Sequence, residues 1–263
     1  TTMAIMRTTI FPERPDERVL TRAAAVIRAG GMVAFPTETV YGLGANALDP
    51  AAVDGIFEAK GRPAANPLIV HVADKTDVAD IAKVTTEAKQ LMDTFWPGPL
   101  TLVLKKKSTV PSMVTAGLNT VCVRMPNHAV ALALISAVGE PIVAPSANTS
   151  GAPSPTTAQH VYHDLNGKIP LILDAGPCTV GLESTVIDLT STPPCILRPG
   201  AVTFEQLEKI LPNLFYPHNP SPIAPGMKYR HYAPKAILIL VESPSPLEGE
   251  GRVRGYNVEK LIK

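Results

Sequence analysis

Phe35-Pro36-Thr37-Glu38-Thr39-Val40-Tyr41-Gly42-Leu43-Gly44-Ala45-Asn46-Ala47 is the densest stretch of the chain, and its reading separates two architectures. Gly42-x-Gly44-x-x-Ala47 has the spacing of a dinucleotide fingerprint. That motif needs a strand running straight into the glycines and a helix opening on them. Met32 to Phe35 reads as a short buried strand, but Asn46 to Pro50 intervenes before any helix starts. A Rossmann unit is therefore excluded. The absence of Gly-x-x-x-x-Gly-Lys-Ser/Thr excludes a P-loop.

Working outward, helical periodicity runs over 17–29 and stops at Gly30-Gly31. Asp49 and Pro50 are the N-cap and first residue of a second helix reaching Lys60. Further helices are expected over 85–95, 129–138 (apolar throughout, so packed on both sides), 155–165 and 203–211. Strands are expected over 68–72, 100–104, 120–125, 142–144, 171–174, 185–189 and 195–198, the late ones adjacent to one another. This alternation implies an α/β (α+β) domain on one twisted mixed sheet over residues 10–212. Residues 213–235 are proline-rich and read as an extended linker. Residues 236–263 open on a strand-like run, Ala236 to Val241. The stretch that follows, from Ser243, has no hydrophobic pattern and is expected to be disordered.

Bulk properties narrow the function classes. A chain of 263 residues that is 45% hydrophobic can bury a sizeable core. A net charge of +1 leaves no global basic field for nucleic acid, so any cationic site is local. Cys122, Cys178 and Cys195 form no CxxC pair and suit a reducing compartment, with a cytoplasmic location expected. No run approaches a membrane span, and Thr1 to Thr9 lacks a secretory pattern.

Several segments pair a bland reading with a chemical one. Lys60-Gly61-Arg62 follows a helix end, where cations cap the dipole. Two cations before a buried strand ending in His71 are also a clamp for phosphate or carboxylate. Ala144-Pro145-Ser146-Ala147-Asn148-Thr149-Ser150-Gly151 is either an ordinary turn or a ring of hydroxyl, amide and backbone donors around an anion. Gly-x-Ser-x-Gly is absent, which leaves no nucleophile elbow. Arg124 and Arg198 each end an apolar strand before a proline turn, a placement that fits a shared cleft better than surface snorkelling. Lys105-Lys106-Lys107 reads as a charged strand end guarding a sheet edge. His160 and His163 read as a solvated helix face, and no metal-ligand set is expected.

Taken together, the segments from Phe35, Lys60, Trp96 (WPGPLTLVL), Val123 (VRMPNH), Ala144, Gly181 (GLESTVID), Ile196 (ILRPG) and Ala224 (APGMKYRHYAP) resemble, in order, the Sua5/YrdC family of threonylcarbamoyl-AMP synthases. The last segment matches the long Sua5 form, of whose second domain only 236–263 would be a remnant. The resemblance implies a YrdC-like twisted sheet with flanking helices and a large concave cavity. It implies synthesis of threonylcarbamoyl-AMP from ATP, L-threonine and bicarbonate, with Mg²⁺ on the nucleotide, for N6-threonylcarbamoyladenosine formation in tRNA. Thr37, His71, Arg124 and Ser184 would hold L-threonine. Lys60, Arg62, Asn66, Thr120, Ser146, Asn148, Ser154 and Arg198 would hold ATP, with Lys60 and Arg62 catalytic, and Tyr229 and Tyr232 would close over the mouth. Implied partners are tRNA and the tRNA threonylcarbamoyl transferase complex. Two rivals stand beside this: an RNA-binding module of the same fold without turnover, and a carbamoyl transferase using carbamoyl phosphate. Low aromatic content (5%) weighs against the first. The zinc-binding and acylphosphatase segments expected of the second are absent.

Overall fold

The computed structural model describes residues 8–11, 15–218 and 223–225. The chain divides into two units, Thr1–Ala233 and Pro234–Lys263, and every described residue belongs to the first. Tyr229, Tyr232 and the expected remnant over 236–263 lie outside the described residues.

The elements follow in the order β1 (Thr9–Phe11), α1 (Glu17–Arg28), β2 (Val33–Phe35), β3 (Gly42–Asn46), α2 (Pro50–Lys60) and β4 (Ile69–His71). Then come α3 (Val78–Ile81), α4 (Thr86–Phe95), β5 (Leu100–Lys105), β6 (Thr120–Arg124), α5 (Ala129–Val138) and β7 (Ile142–Val143). The last are α6 (Ala158–Leu165), β8 (Leu171–Leu173), β9 (Thr185–Asp188), β10 (Cys195–Arg198) and α7 (Phe204–Glu208). Local chemistry sets the helix starts. Side-chain oxygens of Asp16, Asp49, Thr85, Thr157 and Thr203 each accept a backbone N–H of the first turn that would otherwise lack a partner.

Among the described residues the strands form one mixed sheet in the order β1-β8-β2-β3-β7-β4-β6-β5-β9-β10. The α/β expectation over a single twisted sheet is met. Three details differ. The late strands do not cluster, because β8 lies in parallel between β1 and β2, far from β9 and β10. The glycine-rich Gly42–Asn46 is itself a strand, antiparallel to β2 and β7. Glycine is normally depleted in strands, but a Cβ on Gly44 would stand 2.7 Å from the Phe35 ring, so this crossing requires its absence. The lysines at 105–107 guard no edge, since β5 is paired on both sides, by β6 and β9.

Directly paired residues share a sheet face, and the register sorts the core. Ala34, Ile172, Leu43, Val143, Val70, Val123, Leu102 and Ile187 face one side, covered by α2, α4 and α6. Val33, Phe35, Leu171, Leu173 and Ile142 face the other, under α1 and α5. Helix α5 packs through Ala131, Leu134, Ile135 and Val138 while Ala129, Ser136 and Ala137 are exposed. The expectation of packing on both sides was wrong: small alanines read as apolar without requiring burial. That second face continues over β4, β6, β5 and β9, where no helix among the described residues covers it.

Candidate active site

This uncovered half of the face is the floor of a cavity of roughly 600 Å³ including its open mouth. Thr39, Arg62, His71, Arg124, Ser146, Asn148, Glu183, Ser184 and Arg198 wall it. Strand register brings them together: His71 ends β4 directly opposite Arg124, which ends β6, and Arg198 ends β10 against Val186. Shared termination of neighbouring strands concentrates the charges at one rim.

Each charged side chain is aimed by the backbone around it. Arg124, buried, donates from Nε to the Gly98 carbonyl (3.3 Å) and from Nη1 to Thr39 Oγ1 (2.9 Å), and its Nη2 lies 2.7 Å from Glu38 Oε2. Arg198 grips the Ser184 carbonyl with Nε (3.1 Å) and Nη2 (3.0 Å), and Nη2 also donates to Ser184 Oγ (3.1 Å). The turn after β10 must approach closely for this. A Cβ on Gly200 would stand 2.5 Å from both Glu183 O and Thr185 N. Arg62 donates to the carbonyls of Pro67 (3.0 Å) and Asn66 (3.4 Å).

Lys60 does not line the cavity. Its buried ammonium donates to the backbone carbonyls of Ser146 and Asn148, 2.5 Å each, and so pins the loop that carries those residues. Burial, and then the neighbouring Arg62, pull its pKa down to about 7, while Asp164 opposes them. His71 is held neutral: burial and then Arg124 lower its pKa to about 3. Its Nδ1 lies 3.3 Å from the Ile69 carbonyl. A contact with an acceptor requires the proton on Nδ1, which leaves Nε2 as an acceptor.

The other sequence-derived residues fall in three groups. Ser146, Asn148 and Ser184 line the cavity. The Asn148 amide donates to the carbonyls of Thr149 and Ala152, shaping its own loop, and Ser184 Oγ is 2.7 Å from Thr101 Oγ1. Thr37 and Ser154 act one step back. Thr37 Oγ1 donates to the Val40 carbonyl (2.6 Å) and accepts from the Thr39 and Val40 amides, which presents Thr39 to the cavity. Ser154 Oγ donates to Glu183 Oε1 (2.5 Å). Asn66 and Thr120 are not brought to the cavity. Asn66 is buried with both amide atoms unpartnered. Thr120 shares a face with Cys122 and Arg124 but begins β6 where Arg124 ends it, roughly 13 Å away at strand rise. Between them Cys122, with Ile69, Val103 and Val186, is covered by Ile223 and Ala224.

Glu38, paired with Arg124, and Thr39 and Glu183, on the cavity wall, were not among the residues expected at the site. The signal for the first two was available. Glu38 is a lone carboxylate between apolar strands, and Thr39 stands two residues from Thr37.

A family model for Sua5, YciO and YrdC proteins, described as telomere recombination, matches residues 25–200. A second, described as the C-terminal domain of threonylcarbamoyl-AMP synthase, matches 202–260. The chain belongs to the Sua5/YrdC family. Proteins named threonylcarbamoyl-AMP synthase are similar to it in Pyrococcus abyssi (55% identity, covering 88% of this chain and 70% of the relative) and in Bacillus subtilis (52%, covering 87% and 68%). The crystal structure of P. abyssi Sua5 complexed with L-threonine superposes with a TM-score of 0.85 at 54% identity, covering 90% of this chain and 72% of that one. Among the described residues no helix is long and apolar enough to cross a membrane.

Proposed function

We propose that the chain is an L-threonylcarbamoyladenylate synthase, a nucleotidyltransferase that converts ATP, L-threonine and bicarbonate to threonylcarbamoyl-AMP and pyrophosphate for tRNA modification in the cytoplasm. The observation that carries this reading is the composition of one cavity wall. Three guanidinium groups, Arg62, Arg124 and Arg198, converge with a neutral imidazole and the hydroxyls of Ser146 and Ser184. The similarity to a Sua5 structure complexed with L-threonine supports the same assignment.

The chemistry needs such a wall. Bicarbonate takes up a proton and loses water to give CO2, and the neutral amine of threonine adds to that CO2 and releases a proton, forming a carbamate. A carbamate oxygen attacks the α-phosphorus of ATP, and the bond to the β-phosphoryl oxygen breaks, expelling pyrophosphate. The nucleophile is already an anion, so the site supplies positioning and charge stabilisation rather than covalent catalysis. Arg124 would take the threonine carboxylate, in the two-pronged geometry that guanidinium offers. Neutral His71 would accept from the threonine amine through Nε2, which an imidazolium could not do. Arg62 and Arg198 would face the phosphates. Lys60 would act indirectly, by fixing Ser146 and Asn148. Mg²⁺ belongs in this scheme to the substrate, carried on the phosphates of ATP. Glu183, the carboxylate on the wall, already accepts from Ser154.

The test is pyrophosphate release from purified chain with ATP, Mg²⁺, bicarbonate and L-threonine, omitting each in turn. Release that requires threonine and bicarbonate together is expected. Release independent of threonine would overturn the reading, and salt-steep RNA binding without turnover would favour the RNA-binding module instead.

A further inference from the structure

Glu38 has no part in the scheme above, yet it is one of the most costly residues in the molecule. Its carboxylate is buried directly behind Arg124, 4% exposed like its partner. It does not itself reach the cavity surface, whereas Thr39 and Arg124 do. Glu38 Oε2 lies 2.7 Å from Arg124 Nη2, and the other oxygen, Oε1, makes no hydrogen bond. Direction is given to Arg124 by other groups, the Gly98 carbonyl and Thr39 Oγ1. What Glu38 adds to these contacts is a negative charge beside the guanidinium.

We infer that Glu38 is a specificity-determining residue, the counter-charge that reserves the Arg124 subsite for a monocarboxylate and keeps phosphate dianions out of it. This rests on the reading of Arg124 as the carboxylate site of an amino-acid substrate. The physical problem is plain. ATP and pyrophosphate share the cavity with threonine, and a bare buried guanidinium attracts a dianion about twice as strongly as a carboxylate. A fixed negative charge behind it repels both ligands, the dianion twice as much. Electrostatic discrimination of this kind works by building in repulsion against the wrong ligand. Arg198 faces the same cavity and is held by carbonyl oxygens and the Ser184 hydroxyl. The two arginines thus differ in the feature that would sort carboxylate from phosphate. Burial lowers the Arg124 pKa and Glu38 opposes that shift.

The experiment is calorimetric competition between L-threonine and inorganic phosphate on the wild-type chain and on Glu38→Gln and Glu38→Asp. In the wild type, phosphate is expected to leave threonine binding unchanged. In Glu38→Gln, phosphate should become competitive with threonine, its inhibition constant against threonine falling at least roughly tenfold, one decade of affinity. Glu38→Asp keeps the charge and should keep the wild-type selectivity, even if threonine binds less tightly through altered shape. A purely structural role would lower thermal stability in both variants and leave the ratio of phosphate to threonine affinity unmoved, which would overturn the inference. So would wild-type displacement of threonine by phosphate, a result that needs no variant to fold. Failure of the wild type to bind threonine at all would instead count against the proposed function.

Discussion

One face of the sheet is built in two ways. Over β8, β2, β3 and β7 it is covered by α1 and α5, and the buried cluster there is apolar, with Phe35, Leu134, Ile135, Ile142 and Leu173 among its members. Over β4, β6, β5, β9 and β10 no helix among the described residues covers the same face. There His71, Arg124 and Arg198 occupy the positions that Leu or Ile would fill, and backbone carbonyls, one carboxylate and hydroxyls satisfy them. The covered half derives its stability from burial of apolar side chains. The open half carries buried charges, which cost stability unless paired or hydrogen-bonded. A site of this kind therefore depends on the covered half to hold the strands whose ends it uses.

The largest contrast should come from the covered half. Leu134→Ala removes a fully buried α5 side chain and is expected to cost about 2–5 kcal/mol of stability in denaturant titrations, with kcat/KM per folded molecule nearly unchanged. A comparable loss of kcat/KM would break the separation of the two halves. Gly200→Ala attacks the open half through backbone. The added Cβ meets two backbone atoms at 2.5 Å, and about 3 kcal/mol of destabilisation is expected together with loss of pyrophosphate release, because the turn carrying Arg198 must shift. Arg198→Ala should reverse the pattern of Leu134→Ala, lowering kcat/KM by about 2–3 kcal/mol while the melting temperature scarcely moves. The smallest effect concerns pH. His71 has a folded pKa of about 3 against an ordinary 6.5, so the unfolded chain takes up this proton first. Its contribution is intact above about 6.5 and is lost as pH falls from there toward 3. Urea midpoints between pH 7 and 5 should fall less in His71→Gln than in the wild type, and equal slopes would show that His71 is not buried as a neutral ring.

Much of this was legible beforehand, for local reasons. Asp49-Pro50 fixed the start of α2 because capping and a preset φ act within a few residues. Arg124 and Arg198 were recognisable as site residues because a cation placed between an apolar strand and a proline turn has few structural uses. Gly42–Asn46 was not read as a strand, since its glycines serve the Phe35 ring from a neighbouring strand and leave no periodicity of their own. Lys60 was legible as a site residue but not as a positioning one. The carbonyls it holds lie in the loop around Ser146, far along the chain.

The sequence by itself determined most of the helices and strands, the exclusion of nucleotide folds built on glycine loops, and the inventory of cations and hydroxyls. These follow from hydrogen bonds and side-chain preferences that span at most a few residues. Only the tertiary structure decided that β8 inserts between β1 and β2, that no helix among the described residues covers half of one face, and that Glu38 rather than solvent stands behind Arg124. Those outcomes depend on which strands pair and on which atoms burial brings into contact across long separations, and neither is written in any local stretch of the chain.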